Sequence, residues 1–202
     1  MRYRSVEVQV PAKVNLQLSV GPKESDGYHE VVTVFQAISI NDTVKISKGS
    51  EFSLSISGDY TSGVPLDKSN LVYKAIELMA DKFDTDRELQ ISINKSIPVA
   101  GGLAGGSADA AATLLGIDTL YGLGLTKDQL SEMARKLGSD VPFMLHGGTA
   151  VGRGHGDEVT PALSRGNYHW VIAVSSTGLS TPAVYGECDR LRTGLDIKAP
   201  SL

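Results

Sequence analysis

Between Pro98 and Ala112 the chain reads PVAGGLAGGSADAAA, a glycine-rich turn that runs into a small-residue stretch of helical character. Backbone N–H groups left free by glycines, followed by a helix N-terminus, favour an anion. Gly101, Gly102, Gly105 and Gly106 let a phosphate approach the backbone. Ser107 is placed to cap the helix and to offer a hydroxyl to phosphate or Mg²⁺. No GK[ST] follows, so this is not a Walker P-loop. GGLAGG does not spell GxGxxG, and no acidic residue ends a following strand at the distance a dinucleotide site needs. A tight loop required only for packing is the competing reading.

Three other stretches carry polar groups that could act on such a phosphate. In PAKVNLQL (11–18), Lys13 and Asn15 lie two apart on a strand and share a face. Val14, Leu16 and Leu18 take the other. Alone, Lys13 and Asn15 read as solvent-facing. GSDVPF (138–143) places Asp140 after a helix stop, as a turn former or as a carboxylate held at a cleft. DGYHE (26–30) sets Tyr28 and His29 after a glycine turn, able to stack on and hydrogen-bond a base, or simply to close a hairpin. His146, His155 and His169 are scattered, and no HExxH or carboxylate cluster appears. No permanent metal is expected.

These groups need elements to position them. The first half reads as strands: Val6, Val8 and Val10 alternate, then Val14 to Val20, then VVTVFQAISI (31–40), DTVKIS and FSLSIS. Segments 21–27 and 58–70 read as loops. Leu71, Ala75, Leu78 and Met79 form one helical face, widened by Val72 and Ile76. LQISIN (89–94) is a strand, and a helix is predicted from about Ser107 to Tyr121. TKDQ (126–129) is a capping box that opens a helix ending at Gly138. VPFML reads as a short buried strand, GGTAVGRGHGDE as turns, WVIAVS (170–175) as a strand and TPAVYGECDRLR as a helix. Strands precede helices without regular βαβ alternation, which predicts an α+β fold.

Composition narrows the function. At 202 residues the chain can bury one sizeable core, or one domain and part of another. Its net charge of −4 argues against a sequence-independent nucleic-acid partner. A lone cysteine, Cys188, excludes an intrachain disulfide framework and a cysteine-based zinc cluster. The amino terminus lacks a signal peptide's apolar core, and no apolar run approaches a membrane span. The expectation is a soluble cytoplasmic protein.

PAKVNLQL, DGYH, PVAGGLAGGSADAAA and LGSDVPF, in that order and spacing, resemble the superfamily of galactokinase, homoserine kinase, mevalonate kinase and phosphomevalonate kinase. Within it they are most similar to the branch acting on a cytidine diphosphate-linked methylerythritol in the non-mevalonate isoprenoid route. The resemblance spans about Pro11 to Arg192 and implies a two-domain α+β small-molecule kinase. Its N-terminal domain, here 1–160, would be similar to the second domain of ribosomal protein S5; residues 161–202 would begin an incomplete C-terminal domain.

The resemblance also assigns roles. Pro98, Val99, Ala100, Gly101, Gly102, Leu103, Ala104, Gly105, Gly106, Ser107 and Ala108 match the loop around the ATP phosphates. Asn70, Leu71 and Lys95 fall where nucleotide is contacted. Lys13 and Asp140 match the catalytic pair. Asn15, Tyr28, His29, Phe35, Thr181 and Tyr185 match positions holding the cytidine diphosphate compound. ATP would be the co-substrate and carry Mg²⁺ with it. The phosphoryl acceptor would be the substrate's 2-hydroxyl. Members of this branch are longer and carry a third glycine-rich motif, so a truncated chain is expected, with exposed apolar surface, reduced or no turnover, and a monomeric or homodimeric state. Another small-alcohol kinase of the superfamily is the first alternative, opposed by DGYH and STPAVY. A non-catalytic S5-like binding module is the second, opposed by the acidic balance.

Overall fold

The computed structural model describes residues 3–175 and 177–202. The chain runs β1 (Ser5–Lys23), β2 (His29–Lys48), β3 (Ser53–Gly58), α1 (Leu71–Phe83), β4 (Leu89–Lys95), α2 (Gly105–Tyr121), α3 (Lys127–Leu137), α4 (Val141–His146), β5 (Thr149–Arg153), β6 (Glu158–Pro161) and α5 (Thr181–Leu191). This is an α+β fold around one mixed sheet. No helix among the described residues is long and apolar enough to cross a membrane.

Strand β2 organises the sheet. One of its edges pairs with β1 over nearly its whole length. The other pairs with β5 at Thr33–Gln36 and with β4 at Thr43–Lys48. Strands β3 and β4 are parallel with α1 between them; the other pairings are antiparallel. Two segments that read as separate strands on either side of Pro11 form the single β1. Among the described residues β1 pairs only with β2, so Pro11 costs no ladder bond on its outer edge, and the register shifts beside it.

A second shift, between Asn15 and Gln17, corrects the expected sidedness of β1. The bulge turns Leu18 onto the face that carries Lys13 and Asn15, and leaves Leu16 exposed. Lys13 itself is buried, against the simpler solvent-facing reading.

Helix α2 is the central helix, with eleven of its 17 residues buried. Its alanines and Gly116 let it lie close on the sheet; a Cβ at Gly116 would collide with Ile46. It packs on β1 and β2 and against α1, α3 and α4. Helix α3 opens with the expected capping box of Thr126 and Gln129.

VPFML is helix α4, not a strand. Pro142 sits in its first turn, where a missing N–H costs nothing, and Phe143 is buried against Phe35. The turn-rich stretch after it is largely the β5–β6 hairpin. WVIAVS forms no strand, because no described strand lies alongside to pair with it, and Val171 is fully exposed. Helix α5 forms as expected but buries none of its residues. Leu163, Leu179, Leu191 and Leu195 are likewise exposed.

Candidate functional site

A cleft of about 1220 Å³ lies where β1, β2, the glycine loop, the start of α4 and α5 converge. Every residue that the sequence singled out lines it, save one. The exception is Ala108, which is fully buried in the core behind the loop.

The glycine loop alternates in hand. Ala100, Gly102 and Ala104 all have positive φ, at 55°, 71° and 59°. Left-handed residues alternating along a loop turn successive N–H groups toward a common concavity. Helix α2 begins at Gly105, two residues earlier than expected, so Ser107 lies inside the first turn and is not the cap. The N-cap is Ala104, which has no side-chain cap to offer, so the first-turn N–H groups remain available. The Lys13 N–H donates to the Leu103 carbonyl at 3.2 Å and ties the loop to β1.

Beneath the loop sits a buried ionic cluster. The Lys95 ammonium donates to Asp42 and, at 2.7 Å, to Asp109 Oδ2. Asp42 Oδ1 also accepts the N–H groups of Ser96 and Ile97, at 2.7 and 2.9 Å. One lysine thus joins β2, the end of β4 and the first turns of α2. Its ammonium is taken by two carboxylates. Burial, which outweighs the attraction of Lys95, pushes the Asp109 carboxyl up to about 7. Its Oδ1 is buried and has no partner among the described residues.

Gly105 lies directly over this cluster. A Cβ there would stand 3.0 Å from Lys95 Nζ and 3.1 Å from Ile97 Cγ2. Gly105→Ala is expected to cost about 1–3 kcal/mol through overpacking. A urea denaturation midpoint checks this, and an unchanged midpoint would mean the loop yields freely.

Lys13 and Asp140 meet across the cleft, with Nζ 3.8 Å from Oδ2. Asp140 stands at the N-cap of α4, yet its side chain makes no capping bond and stays available. The stack of Phe35 on Phe143, with ring centroids 4.8 Å apart, seats α4 against the sheet. Phe35 is 2% exposed and lies under the Lys13 ammonium, so most of its ring belongs to the core. Lys13 is held by a relay. Its Nζ donates to Asn15 Oδ1 at 2.7 Å, Asn15 Nδ2 donates to Thr33 Oγ1 at 2.6 Å, and the Thr33 hydroxyl donates to the Gln17 carbonyl at 2.7 Å. Thr33 was not legible as part of this set: it is one of several β-branched residues in a strand.

At the far end, Tyr28 is exposed and stacks on His155, with centroids 4.9 Å apart. His155 comes from the β5–β6 turn and was not assigned to the site from sequence. Glu24, Asp26 and His155 bring donor atoms within 4.8 Å of one another, all exposed, as acidic surface groups often do without an ion. Tyr185 of α5 tilts over His29 at 5.2 Å. Burial, with the nearby Asp140 charge, raises the Tyr185 phenol, which keeps its proton at neutral pH. Thr181 is the first residue of α5 and lines the same wall. Asn70 caps α1: its Oδ1 accepts the Val72 N–H at 2.9 Å and its Nδ2 donates to the Pro65 carbonyl at 2.7 Å. Leu71 follows it at the rim.

A cradle of N–H groups, a carboxylate and an ammonium that face each other, and a shelf of rings share this one cleft. Comparison with known proteins bears on the fold. Residues 70–148 match the GHMP kinases N terminal domain. A solved structure of 4-(cytidine 5'-diphospho)-2C-methyl-D-erythritol kinase superposes with a TM-score of 0.65 at 33% identity, over 90% of this chain and 63% of that one.

The fold is that of the GHMP kinases.

The mevalonate kinase of Methanococcus jannaschii shares it at 14% identity and a TM-score of 0.57, over 81% of this chain and 57% of that one. Among curated proteins, 4-diphosphocytidyl-2-C-methyl-D-erythritol kinase of Rhodococcus jostii is 53% identical over 189 residues, covering 94% of this chain and 61% of its own length. The protein of that name from Mycobacterium marinum is 50% identical over 196 residues, covering 97% of this chain and 60% of its own. This chain therefore spans about 61% of the length of such a relative.

Proposed function

We propose that the chain carries the cleft of a kinase that transfers the γ-phosphoryl group of ATP to the 2-hydroxyl of 4-diphosphocytidyl-2-C-methyl-D-erythritol, in the cytoplasm. The observation that carries this reading is the meeting of Lys13 and Asp140 between the glycine loop and the Tyr28, His29 and Tyr185 shelf. The name that the relatives carry supports the choice of substrate.

ATP brings its Mg²⁺ with it as part of the co-substrate. The N–H cradle of Gly101 to Ser107 and the dipole of α2 hold the phosphate chain. The acceptor hydroxyl lies by Asp140, whose carboxylate takes its proton. The new P–O bond forms as the bond from the γ-phosphorus to the bridging oxygen breaks, and ADP leaves with that electron pair. Lys13 faces the charge spread over the transferring group and stabilises it. The Asn15–Thr33 relay keeps Lys13 aimed there. Tyr28 supplies a face for the base, and His29 a hydrogen-bonding edge.

A coupled assay of ADP release tests this directly. With Mg-ATP, release is expected with 4-diphosphocytidyl-2-C-methyl-D-erythritol and not with mevalonate or homoserine. Release driven by mevalonate or homoserine would replace the substrate. No release and no binding of either ligand would remove the kinase reading.

A further inference from the structure

Asp189 of α5 is bound into the far end of the cleft, and the mechanism above leaves it without a task. Its Oδ1 lies 2.7 Å from His29 Nε2, and its Oδ2 lies 3.3 Å from Lys23 Nζ. The imidazole is 5% exposed, in β2 and under Tyr185, so its ring has little freedom to turn over. The bond to His29, with a smaller part from Lys23, holds the Asp189 carboxyl below the ordinary carboxylate range. An ionised carboxylate only accepts, so His29 Nε2 carries the hydrogen. In a neutral imidazole the other nitrogen, Nδ1, is then a bare acceptor. Nδ1 has no hydrogen-bond partner among the described residues, and it is not among the buried orphan atoms. It is therefore open to a molecule in the cleft that His29 lines.

We propose that Asp189 is a positioning residue that sets the base preference of this site, selecting cytosine over uracil by fixing the tautomer of His29. Cytosine offers an exocyclic amino donor where uracil has a carbonyl acceptor. A bare Nδ1 accepts from the first and is repelled by the second. Without Asp189 the hydrogen is free to move to Nδ1, which then donates and suits uracil as well. The inference rests on the proposed function, in that the base of the cytidine diphosphate compound must meet His29. Lys23, which is half exposed, supports the carboxylate from outside and points its charge at Asp189 rather than at the ring.

Two measurements test it. The first is calorimetric titration of cytidine diphosphate and of uridine diphosphate into the chain and its Asp189→Ala and Asp189→Asn forms. The unsubstituted protein is expected to prefer cytidine diphosphate by about tenfold to a hundredfold, the discrimination of one good base-edge contact. Asp189→Ala should bring the two affinities to within about threefold, and Asp189→Asn, which keeps an oxygen acceptor, should restore most of the preference. The second is the ¹⁵N spectrum of His29 in the unsubstituted protein, which should report hydrogen on Nε2. This holds even if Asp189→Ala fails to fold. Hydrogen on Nδ1, or an unchanged preference in a folded Asp189→Ala protein that still binds cytidine diphosphate, overturns the inference and leaves the kinase reading standing. No binding of cytidine diphosphate to the unsubstituted protein overturns both.

Discussion

Asp140→Asn and Lys13→Met are each expected to slow ADP release by about 10²–10⁴-fold while leaving the binding of ATP nearly unchanged. Asparagine keeps the shape of Asp140 and removes its capacity to take a proton. Methionine keeps the stem of Lys13 and removes its charge. The two residues stand 3.8 Å apart, so their effects should not add. The double variant should be about as slow as the slower single one. The comparison also separates two orders of events. If proton removal by Asp140 accompanies phosphoryl transfer, Asp140→Asn is the slower variant. If charge neutralisation dominates and the proton leaves afterwards, Lys13→Met is slower. Initial rates at saturating Mg-ATP decide between them. Unaltered rates in both variants would place the chemistry elsewhere.

Lys95→Met should destabilise the fold by about 3–5 kcal/mol, the cost of leaving buried carboxylates without their cation. Lys95 and Asp42 are almost wholly buried, and both carboxylates of the cluster depend on one ammonium. A urea denaturation midpoint measures the loss. The cluster also has a signature in pH. Burial pushes the folded-state Asp109 carboxyl up to about 7, above the 3.8 of an ordinary aspartate. Between these values the folded protein holds a proton that the unfolded chain has released. Stability from this group is therefore full below about pH 4, declines as pH rises toward 7, and is level above that. Asp109→Asn removes this titration. The midpoint of the unsubstituted protein should fall relative to that variant across the window. Parallel curves for the two proteins would contradict the raised carboxyl.

Much of this site was legible because each chemical group came with a local signature. Lys13 follows a proline on an alternating strand, the glycine loop precedes a run of alanines, and Asp140 stands between a helix stop and an apolar run. The element after Asp140 is a helix where the sequence predicts a strand, since five apolar residues fit a short buried strand and a short helix alike. Pro142 in the first turn was the available signal. The supporting residues were not legible. Asp42 and Lys95 are 53 positions apart, and nothing near either marks it as half of a buried pair. Thr33, His155 and Asp189 come from a strand, a turn and a helix that only the tertiary fold brings to the cleft. WVIAVS shows the converse: its alternation is that of a strand, but a strand also needs a neighbour to bond with.

Hydrogen exchange with each ligand in turn tests the central claim, that one cleft seats both reactants of a phosphoryl transfer. ATP with Mg²⁺ is expected to slow amide exchange at 98–109, and 4-diphosphocytidyl-2-C-methyl-D-erythritol at 27–36 and 181–189, with both sets protected when the two are present together. Protection elsewhere, or competition between the two ligands for the same segment, would contradict it.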